Sequence, residues 1–389
     1  MAEQVYLDWN ATAPLRPEAR AAMLAACDVI GNPSSIHAQG RAARRLIEQA
    51  RAQVAALVGV EPSHVVFTSG GTEANVLALT PQIRQGGGHA PYGRLLISAI
   101  EHPSVRAGGR FSPHSVEEIP VDGQGLLDMP QLERRLTELA SAGGRPLVSL
   151  MLANNETGVI QPVSAVAARV HAAGGLLHVD AVQGPGKTLC NFNVLNADLL
   201  TLSAHKLGGP KGAGALIMRA DLQIEPLVKG GGQERGQRAG TENVAGIAGF
   251  GAAAEAARLA FSGESPRMMA LRGLLEAGIR QACAEAVIFG GEAARLPNTT
   301  LFTVPGMKAE TAVIAFDLEG VAVSSGAACS SGKVESSHVL AAMGVAPELA
   351  RGAIRVSLGY ATTELEIEAF LGAWTKLVGA LYKGRDIAA

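Results

Sequence analysis

Short apolar strands alternate with helical segments along the first two thirds of this chain, and this alternation limits the possible folds more than any other feature. The stretches HVVFTS at 64–69 and RLLIS at 94–98 are each followed by a segment of helical character. Further apolar strands are predicted at 146–152, 176–180, 198–203 and 214–218. Because strands this apolar need cover on both faces, the pattern predicts an α/β fold with a mainly parallel sheet between layers of helices.

The pattern changes near residue 260. The run SGESP at 262–266 has the composition of a connection between domains. After it, helices alternate with short strands that can pair antiparallel, which is typical of a smaller α+β domain. A length of 389 residues also favours two domains, because one domain commonly has about 100–200 residues.

The composition excludes several functional classes. Apolar residues make up 48% of the chain and charged residues 17%, which favours large buried cores over disorder. The formal net charge is -2 and no basic run occurs, so we expect no partner that is a nucleic acid or an anionic membrane. The N-terminus lacks the features of a signal peptide, and the apolar stretch Val244–Ala254 is too short to span a bilayer. We therefore expect a cytoplasmic protein with no membrane partner.

Four cysteines are present, and none forms a CxxC pair, so neither a disulfide framework nor a metal site is predicted. Cys27, Cys190 and Cys283 are expected to be small buried apolar residues. Cys329 instead lies in SSGAACSSG, where it has no apolar neighbours to pack against. On that stretch alone, a flexible turn with an incidental cysteine is the better interpretation.

Polar residues follow several of the predicted strands, at the sheet edge where α/β proteins bind ligands. In FTSGGTEAN, Gly71 and Thr72 begin a helix and suit the binding of a phosphate. An ordinary strand–turn–helix with Thr72 as N-cap explains them equally well. Asp180 ends its strand and can either cap a helix or pair with a cationic ring nitrogen, and Gln183 can add a hydrogen bond.

The stretch SAHKLGGPKG follows another strand. Ser203 and His205 can donate hydrogen bonds to a phosphate. Lys206, among leucine, glycine and proline, is a candidate for a lowered pKa and a nucleophilic amine, although most single lysines are solvated surface residues. Lys211 fits a turn better.

The polar residues collect at one edge of the sheet: His102, Asn155, Asp180, Gln183, Ser203, His205 and Lys206. Pyridoxal 5′-phosphate requires a lysine for covalent attachment, a carboxylate for its pyridinium nitrogen and a cup of donors for its phosphate. The combination predicts such a site, whereas no single residue in it does.

The sequence also resembles the cysteine desulfurases of the NifS/IscS type, fold-type-I pyridoxal-phosphate enzymes of the class-V aminotransferase family. The matching stretches run in the family's order from Tyr6 to about Thr363: YLDWNATAP, GNPSSIH, FTSGGTEAN, EHPSV, NNETGVIQP, HVDAVQ, SAHKLGGPKG, GGGQERGQRAGTEN, SSGAACSSG and IRVSLG. The resemblance implies a large cofactor-binding domain at 12–260 with a seven-stranded, mainly parallel sheet. It implies a smaller α+β domain formed by 1–11 and 261–389, with a mobile catalytic-cysteine loop at about 324–335.

The resemblance also implies roles for individual residues. Lys206 holds the cofactor covalently, Asp180 pairs with its pyridinium nitrogen and Gln183 with its phenolic oxygen. His102 stacks on the cofactor ring and moves protons. The implied catalytic residues are Lys206, Cys329 and His102.

Other implied roles concern the anionic groups. The cofactor phosphate is held by Gly71, Thr72, Ser203, His205 and, from a neighbouring subunit, Thr241. The resemblance therefore implies a homodimer. Asn155 contacts the cofactor and, with Arg355, binds the substrate carboxylate. An arginine in an apolar strand already calls for an anionic partner.

The implied reaction removes sulfur from L-cysteine, giving L-alanine and a persulfide on Cys329. The sulfur then passes to a protein acceptor, in iron–sulfur cluster assembly or another sulfur transfer. A loop of small residues suits a thiol that must reach the cofactor and then deliver sulfur. Two alternatives stay open: a selenocysteine lyase or other lyase or aminotransferase of this fold in which Cys329 is not essential, and a non-catalytic sulfur-relay or regulatory protein.

Two features depart from the family's pattern. Asp8 is followed by Trp9 and then Asn10, where the family commonly has two asparagines, so we expect Trp9 to alter the entrance of the site. The chain ends soon after Lys383, without the longer tail associated with docking of a scaffold protein, which disfavours a partner of that kind.

Overall fold

The computed structural model describes residues 4–86, 91–326 and 337–386. The α-helices in these ranges are α1 (Pro17–Cys27), α2 (Ala38–Val58), α3 (Gly71–Ala78), α4 (Pro103–Arg106), α5 (Met129–Ser141), α6 (Val163–Ala172), α7 (Phe192–Leu195), α8 (Val244–Ala282), α9 (Ala309–Leu318), α10 (His338–Ala342), α11 (Pro347–Ala350) and α12 (Glu364–Asp386). Short 3-10 turns lie at Pro62–His64, Pro113–Ser115, Ala204–Lys206 and Gln233–Gly236.

The strands in the same ranges are β1 (Val5–Tyr6), β2 (Val65–Thr68), β3 (Ile83–Gln85), β4 (Arg94–Ser98), β5 (Val116–Ile119), β6 (Pro146–Met151), β7 (Leu176–Asp180), β8 (Leu199–Ser203), β9 (Gly214–Met218), β10 (Leu222–Ile224), β11 (Val287–Ile288), β12 (Thr299–Thr303), β13 (Val321–Ala322), β14 (Ser324–Ser325) and β15 (Ile354–Ser357).

Seven strands form one large sheet in the order β2-β9-β8-β7-β6-β4-β5. Neighbouring strands from β8 to β5 pair parallel, whereas β9 pairs antiparallel with both β8 and β2. Every residue of β6, β7, β8 and β9 is buried. The predicted seven-stranded, mainly parallel sheet is confirmed.

The strands are apolar because both faces of the sheet are covered. In β4, Leu96 belongs to one apolar cluster, and its neighbours Leu95 and Ile97 belong to the cluster on the opposite face. Helix α2 covers the first face with Ile47 and Val54, spaced seven residues apart on one side of the helix. Full burial of each such side chain contributes roughly 1.5–3 kcal/mol, so the two faces together hold the sheet in place.

A second core lies around a four-stranded antiparallel sheet in the order β11-β12-β15-β14. Its centre contains the rings of Phe302, Phe316, Phe370 and Trp374, and the Phe316 and Phe370 rings stack with centroids 4.9 Å apart. The N-terminal strand β1 pairs parallel with β13, and Leu7 is buried in this core. The domain boundaries at residues 11 and 260 stay predictions.

Helix α8 corrects one prediction. The connection expected at 262–266 lies inside this single 39-residue helix, which contains Pro266. Tertiary contacts hold the segment, because Glu264 accepts two hydrogen bonds from the Arg16 guanidinium, at 2.9 and 2.6 Å, and the Ser265 hydroxyl donates to the Lys187 carbonyl at 3.0 Å. A composition typical of a linker therefore forms helix where its polar side chains find fixed partners.

The same helix is long and apolar enough to span a membrane, by length and composition. Half of its most apolar stretch of 18 residues is buried. Phe250 packs in the first core and Leu271 and Leu275 pack in the second, so α8 serves as a core helix that joins the two. The absence of a membrane partner stays a prediction.

Candidate active site

A cavity of about 290 Å³ opens where β6, β7 and β8 end, at the sheet edge predicted to bind a ligand. The sequence-predicted residues that line it are Gly71, Thr72, His102, Asn155, Asp180, Gln183, Ser203, His205, Lys206 and Arg355. Thr241 is exposed and does not line it. Cys329 and most of the loop predicted at 324–335 lie outside the described residues.

Of the other cysteines, Cys190 and Cys283 are buried as predicted, whereas Cys27 is exposed at the end of α1, so the prediction that Cys27 is buried is wrong.

Lys206 ends the 3-10 turn that follows β8, and this short turn aims its side chain into the cavity. Its Nζ donates hydrogen bonds to the carbonyl oxygens of Asn10 at 2.6 Å and Ala11 at 2.9 Å. The N-terminal segment, which is tied to the small core, thus holds the amine of a residue from the large sheet.

Asp180 is the last residue of β7 and is 6% exposed. Its two carboxylate oxygens accept hydrogen bonds from Asn75 Nδ2 at 2.8 Å and from the backbone N–H of Val182 at 3.0 Å. Both hydrogen bonds fix the carboxylate at the end of β7, so Asp180 is suited to pair with a cationic ring nitrogen in the cavity.

A chain of hydrogen bonds connects Asp180 to His102. The Asn75 amide nitrogen donates to the Ser104 hydroxyl at 2.9 Å as well as to Asp180. His102 Nδ1 accepts from the backbone N–H of Ser104 at 3.2 Å and lies 2.7 Å from the Ser104 hydroxyl oxygen. Since Nδ1 accepts, the neutral His102 ring carries its proton on Nε2.

The two histidines of the cavity are neutral near pH 7. Burial lowers the pKa of His102, which the Asp180 carboxylate partly opposes, and the Lys206 ammonium lowers it further. Burial and then the repulsion of Lys206, Lys211 and Lys187 lower the pKa of His205 to about 4. Each ring can therefore donate a hydrogen bond without bringing a charge, and the positive field in the cavity comes from lysine and arginine.

The start of α3 forms a cradle for an anion. Gly71 is the first residue of this helix, whose first turn offers backbone N–H groups not used within the helix. A Cβ on Gly71 would lie 3.0 Å from Val182 Cγ2 and 3.4 Å from Ser203 Cβ, so a side chain there would crowd the wall of the cavity. Glycine thus leaves room for a phosphate between the helix and Ser203.

Arg355 lies in β15 of the second sheet and is 2% exposed. Its guanidinium donates to the Asp8 carboxylate at 2.7 Å and to the Asn155 carbonyl at 3.0 Å. Its buried Nε finds no hydrogen-bond partner within the described part of the chain. A buried guanidinium that keeps an unused donor beside a cavity is suited to an anionic ligand.

Two residues that sequence reasoning missed hold the site together. Asn10 accepts at its carbonyl from both Lys206 and Gln183, and its amide donates to Thr299 at 2.9 Å. Lys187 is 7% exposed, and its Nζ donates to Gln183 Oε1 at 2.7 Å and to Asn10 Oδ1 at 3.4 Å. Lys187 directly follows Gly184, Pro185 and Gly186, which are typical of a turn with a solvated lysine, and it was missed for that reason.

Trp9 does not line the cavity but lines a small neighbouring cavity together with Lys206, and its expected effect on the entrance stays a prediction. Its indole is 5% exposed, donates to the Tyr6 carbonyl at 2.9 Å and meets the Tyr360 ring edge-on at 5.0 Å. Asn10, the next residue, faces the cavity instead.

The residues present fit pyridoxal phosphate. The cavity offers a lysine amine, a carboxylate, a helix start beside two hydroxyl-bearing residues and a buried arginine, and its volume is close to the lower limit for small-molecule sites. Among the described residues, no group of three or more histidine, cysteine or acidic side chains is arranged to hold a metal ion. The donor set is therefore that of an organic phosphate cofactor.

Comparison with known proteins decides the family. The aminotransferase class-V family matches residues 5–370. The chain belongs to this family. A cysteine desulfurase of Cereibacter sphaeroides is 45% identical over 386 residues, which cover 97% of each chain. The cysteine desulfurase IscS of Dictyoglomus turgidum is 39% identical over 388 residues, which cover 98% of this chain and 96% of the relative.

Solved structures similar to this chain support the same family assignment. The NifS-like protein of Rickettsia africae superposes with a TM-score of 0.87 and 37% sequence identity, covering 98% of this chain and 100% of that one. DndA of Streptomyces lividans superposes with a TM-score of 0.70 and 33% identity, covering 89% and 97%. The fold is therefore that of the NifS-like, fold-type-I pyridoxal-phosphate enzymes. The chain is an enzyme with cysteine desulfurase activity, and pyridoxal phosphate is its cofactor.

Proposed function

We propose that this enzyme transfers the sulfur of L-cysteine to Cys329 as a persulfide, releases L-alanine and passes the sulfur to a protein acceptor. The observation that carries the proposal is the convergence of Lys206, Asp180 and Arg355 on one cavity. An amine, a carboxylate and a guanidinium lie together there, which supports covalent attachment of a cofactor, pairing with its ring nitrogen and binding of an amino-acid carboxylate.

The cofactor, when bound, supplies a sink for the electrons released at the substrate Cα. Lys206 would hold it, and the Lys206 amine would then move the Cα proton of the substrate. Asp180, held in place by hydrogen bonds from Asn75 and the Val182 N–H, would pair with the ring nitrogen. The start of α3 at Gly71 and Thr72 holds the phosphate, together with Ser203 and His205.

Residues of the second sheet and of the N-terminal segment orient the substrate. Arg355 binds the carboxylate of L-cysteine, and Asp8 fixes its guanidinium by a 2.7 Å ion pair that leaves other donors available. Asn155 lies beside it at the cavity wall, and its carbonyl accepts from Arg355. His102, neutral with its proton on Nε2, lines the cavity and would be suited to exchange a proton with the bound substrate.

The sulfur transfer itself balances without an added oxidant. The Cys329 thiolate attacks the sulfur of the bound substrate, the substrate's Cβ–S bond breaks, and its electron pair stays with the organic fragment. Protonation of that fragment gives L-alanine, and Cys329 carries the extra sulfur. Cys329 lies outside the described residues, and its role rests on the resemblance of SSGAACSSG and on the family.

The intact mass of the holoenzyme after brief exposure to L-cysteine tests this proposal. We expect one added sulfur atom, mapped by peptide analysis to Cys329, and its loss in Cys329→Ser. Cys27→Ser is the matched control, because Cys27 is an exposed cysteine far along the chain from that loop. An enzyme that turns over L-cysteine while Cys329 stays unmodified would overturn the persulfide mechanism and favour a lyase.

We also infer that the active form is a homodimer in the cytoplasm, serving iron–sulfur cluster assembly or another sulfur transfer. Thr241 is exposed, yet its segment is firmly held, since Arg238 pairs with Glu73 of α3 at 2.9 Å and Glu234 pairs with buried Arg51 at 2.7 Å. Such anchoring suits a residue that reaches a neighbouring subunit's phosphate. Size-exclusion chromatography with light scattering distinguishes a dimer from the monomer that would contradict this inference.

A further inference from the structure

Lys187 is a buried lysine that the proposed mechanism does not use. It follows β7 by seven residues, is 7% exposed and lies within hydrogen-bond reach of Gln183 at the cavity wall. Fully buried lysines are uncommon unless they are paired, and Lys187 contacts amide oxygens rather than a carboxylate. A buried amine in this position therefore calls for a reason.

We propose that Lys187 is a positioning residue, which fixes the Gln183 side chain with its amide nitrogen towards the cavity and its oxygen away from it. This inference rests on the proposed function and on the contact with the phenolic oxygen of the cofactor that the resemblance implies for Gln183. An ammonium can only donate hydrogen bonds, so the 2.7 Å contact from Lys187 Nζ identifies its partner as Gln183 Oε1. The Gln183 nitrogen must then face the other way.

The contacts of that nitrogen agree with the assignment. Gln183 Nε2 donates one hydrogen to the Asn10 carbonyl at 3.0 Å, and an amide nitrogen carries two. Gln183 lines the cavity, so its second N–H is available to an acceptor bound there. The phenolic oxygen of the cofactor is an anionic acceptor, which an N–H stabilises and an amide oxygen would repel.

Charges around Lys187 make this arrangement sensitive to pH. Burial, then the repulsion of Lys206 and of Arg355, lower the pKa of Lys187 to about 7. The remaining charged groups nearby are already paired: Asp8 with Arg355, and Glu264 of α8 with Arg16, which lines a small neighbouring cavity with Lys187. A deprotonated amine can also accept a hydrogen bond, which would allow the Gln183 amide to turn over.

The test is the absorption spectrum of the holoenzyme, without substrate, recorded across the neutral pH range. In Lys187→Met, Gln183 loses the donor that orients it and a positive charge disappears beside Lys206. We expect the pH midpoint of the change in cofactor absorbance to lie about one unit higher in Lys187→Met than in the wild type. Lys211→Met, which removes an exposed lysine five residues from Lys206, should leave the midpoint within a few tenths of a unit of the wild type.

A double-substitution cycle separates positioning from charge. If Lys187 acts through Gln183, Lys187→Met should shift the midpoint at most half as far in a Gln183→Ala background as in the wild type. Equal shifts in both backgrounds would overturn the proposal, and so would a Lys187→Met profile that matches Lys211→Met. No outcome depends on L-cysteine, so a failure of the persulfide mechanism remains distinguishable from a failure of this inference.

The wild-type holoenzyme provides a measurement that does not depend on a variant folding. A crystal structure should show Lys187 Nζ within hydrogen-bond distance of one end of the Gln183 amide and the phenolic oxygen near the other. A Lys187 side chain turned away from Gln183, with the cofactor in place, would exclude the positioning role.

Discussion

The indole of Trp9 occupies the space that a side chain on Gly359 would need. A Cβ on Gly359 would lie 1.9 Å from two atoms of the Trp9 ring, which no packed structure tolerates. Trp9 belongs to the segment after β1, and Gly359 follows β15. Only glycine at 359 lets this indole lie against Tyr360, and the pair therefore fastens the N-terminal segment, including Asn10, to the second sheet.

Gly359→Ala should destabilise the protein by about 1–3 kcal/mol, because the methyl group must displace a buried indole. The substitution should cost far less in a Trp9→Ala background, where the ring is gone. Urea unfolding of the four proteins measures both values. Gly372→Ala in α12 is the control, since a Cβ there meets no atom within 4 Å and alanine favours helix. Additive effects of the two substitutions would show that the ring can move aside.

The buried carboxyl of Glu156, which accepts a hydrogen bond from the N-cap residue of α10, gives the folded protein a pH dependence. Burial raises the pKa of Glu156 to about 7, although the hydrogen bond from the Ser337 hydroxyl, at 2.5 Å, and the Arg355 charge oppose the rise. Because the folded-state pKa exceeds the unfolded value, the folded protein favours the protonated form. The associated stability is fully present below about pH 4 and is lost as the pH rises through 7.

Glu156→Gln should therefore stabilise the protein more at pH 8 than at pH 5, by up to about 3 kcal/mol, since an amide stays neutral and still accepts from Ser337. Thermal unfolding of the apoprotein across this range measures the difference from wild type. Glu348→Gln is the control at an exposed position and should leave the pH dependence unchanged. A Glu156→Gln protein whose unfolding follows the wild type at every pH would contradict the predicted protonation.

The sequence predicted the interior of the large sheet because burial on both faces leaves a local signature, the mostly apolar composition of β6, β7 and β9. The edge strand β5 was not recognised, since Glu117 and Glu118 interrupt its apolar character where only one neighbouring strand covers it. The helical path of α8 through Pro266 depends on Arg16, which lies about 250 residues away in the chain. No local pattern contains such a partner.

The candidate site likewise contains some residues that the sequence predicted and others that it did not. Lys206, Asp180 and His102 were found because strand ends at a parallel sheet edge converge whatever the detailed packing. Asn10 and Lys187 were missed because their roles come from hydrogen bonds between residues that are distant in the chain. Asn10 is hydrogen-bonded to Gln183, Lys187 and Lys206. Residues that line the cavity are thus easier to predict than residues that hold those in place.

Asn75 illustrates such a supporting residue. Asn75→Ala removes the 2.8 Å hydrogen bond to Asp180 and breaks the connection through Ser104 to His102. Loss of one hydrogen bond to a buried carboxylate should weaken binding of pyridoxal phosphate by about tenfold to a hundredfold. Fluorescence titration of the apoprotein measures the affinity. Asn193→Ala in α7 is the control, because Asn193 is exposed and does not line the cavity, and equal affinities of the two variants would exclude this role for Asn75.

Arg355 should decide the affinity for the substrate carboxylate. Arg355→Lys keeps the charge but cannot contact Asp8, the Asn155 carbonyl and a carboxylate together, so kcat/KM for L-cysteine should fall about a hundredfold, mainly through KM. Asp8→Asn should cost about tenfold, because it loosens the guanidinium without removing it. Arg351→Lys, an exposed substitution four residues earlier, should leave the kinetics unchanged. If Arg355→Lys lowers kcat while KM for L-cysteine stays at the wild-type value, Arg355 does not bind the substrate carboxylate and acts in the chemical step instead.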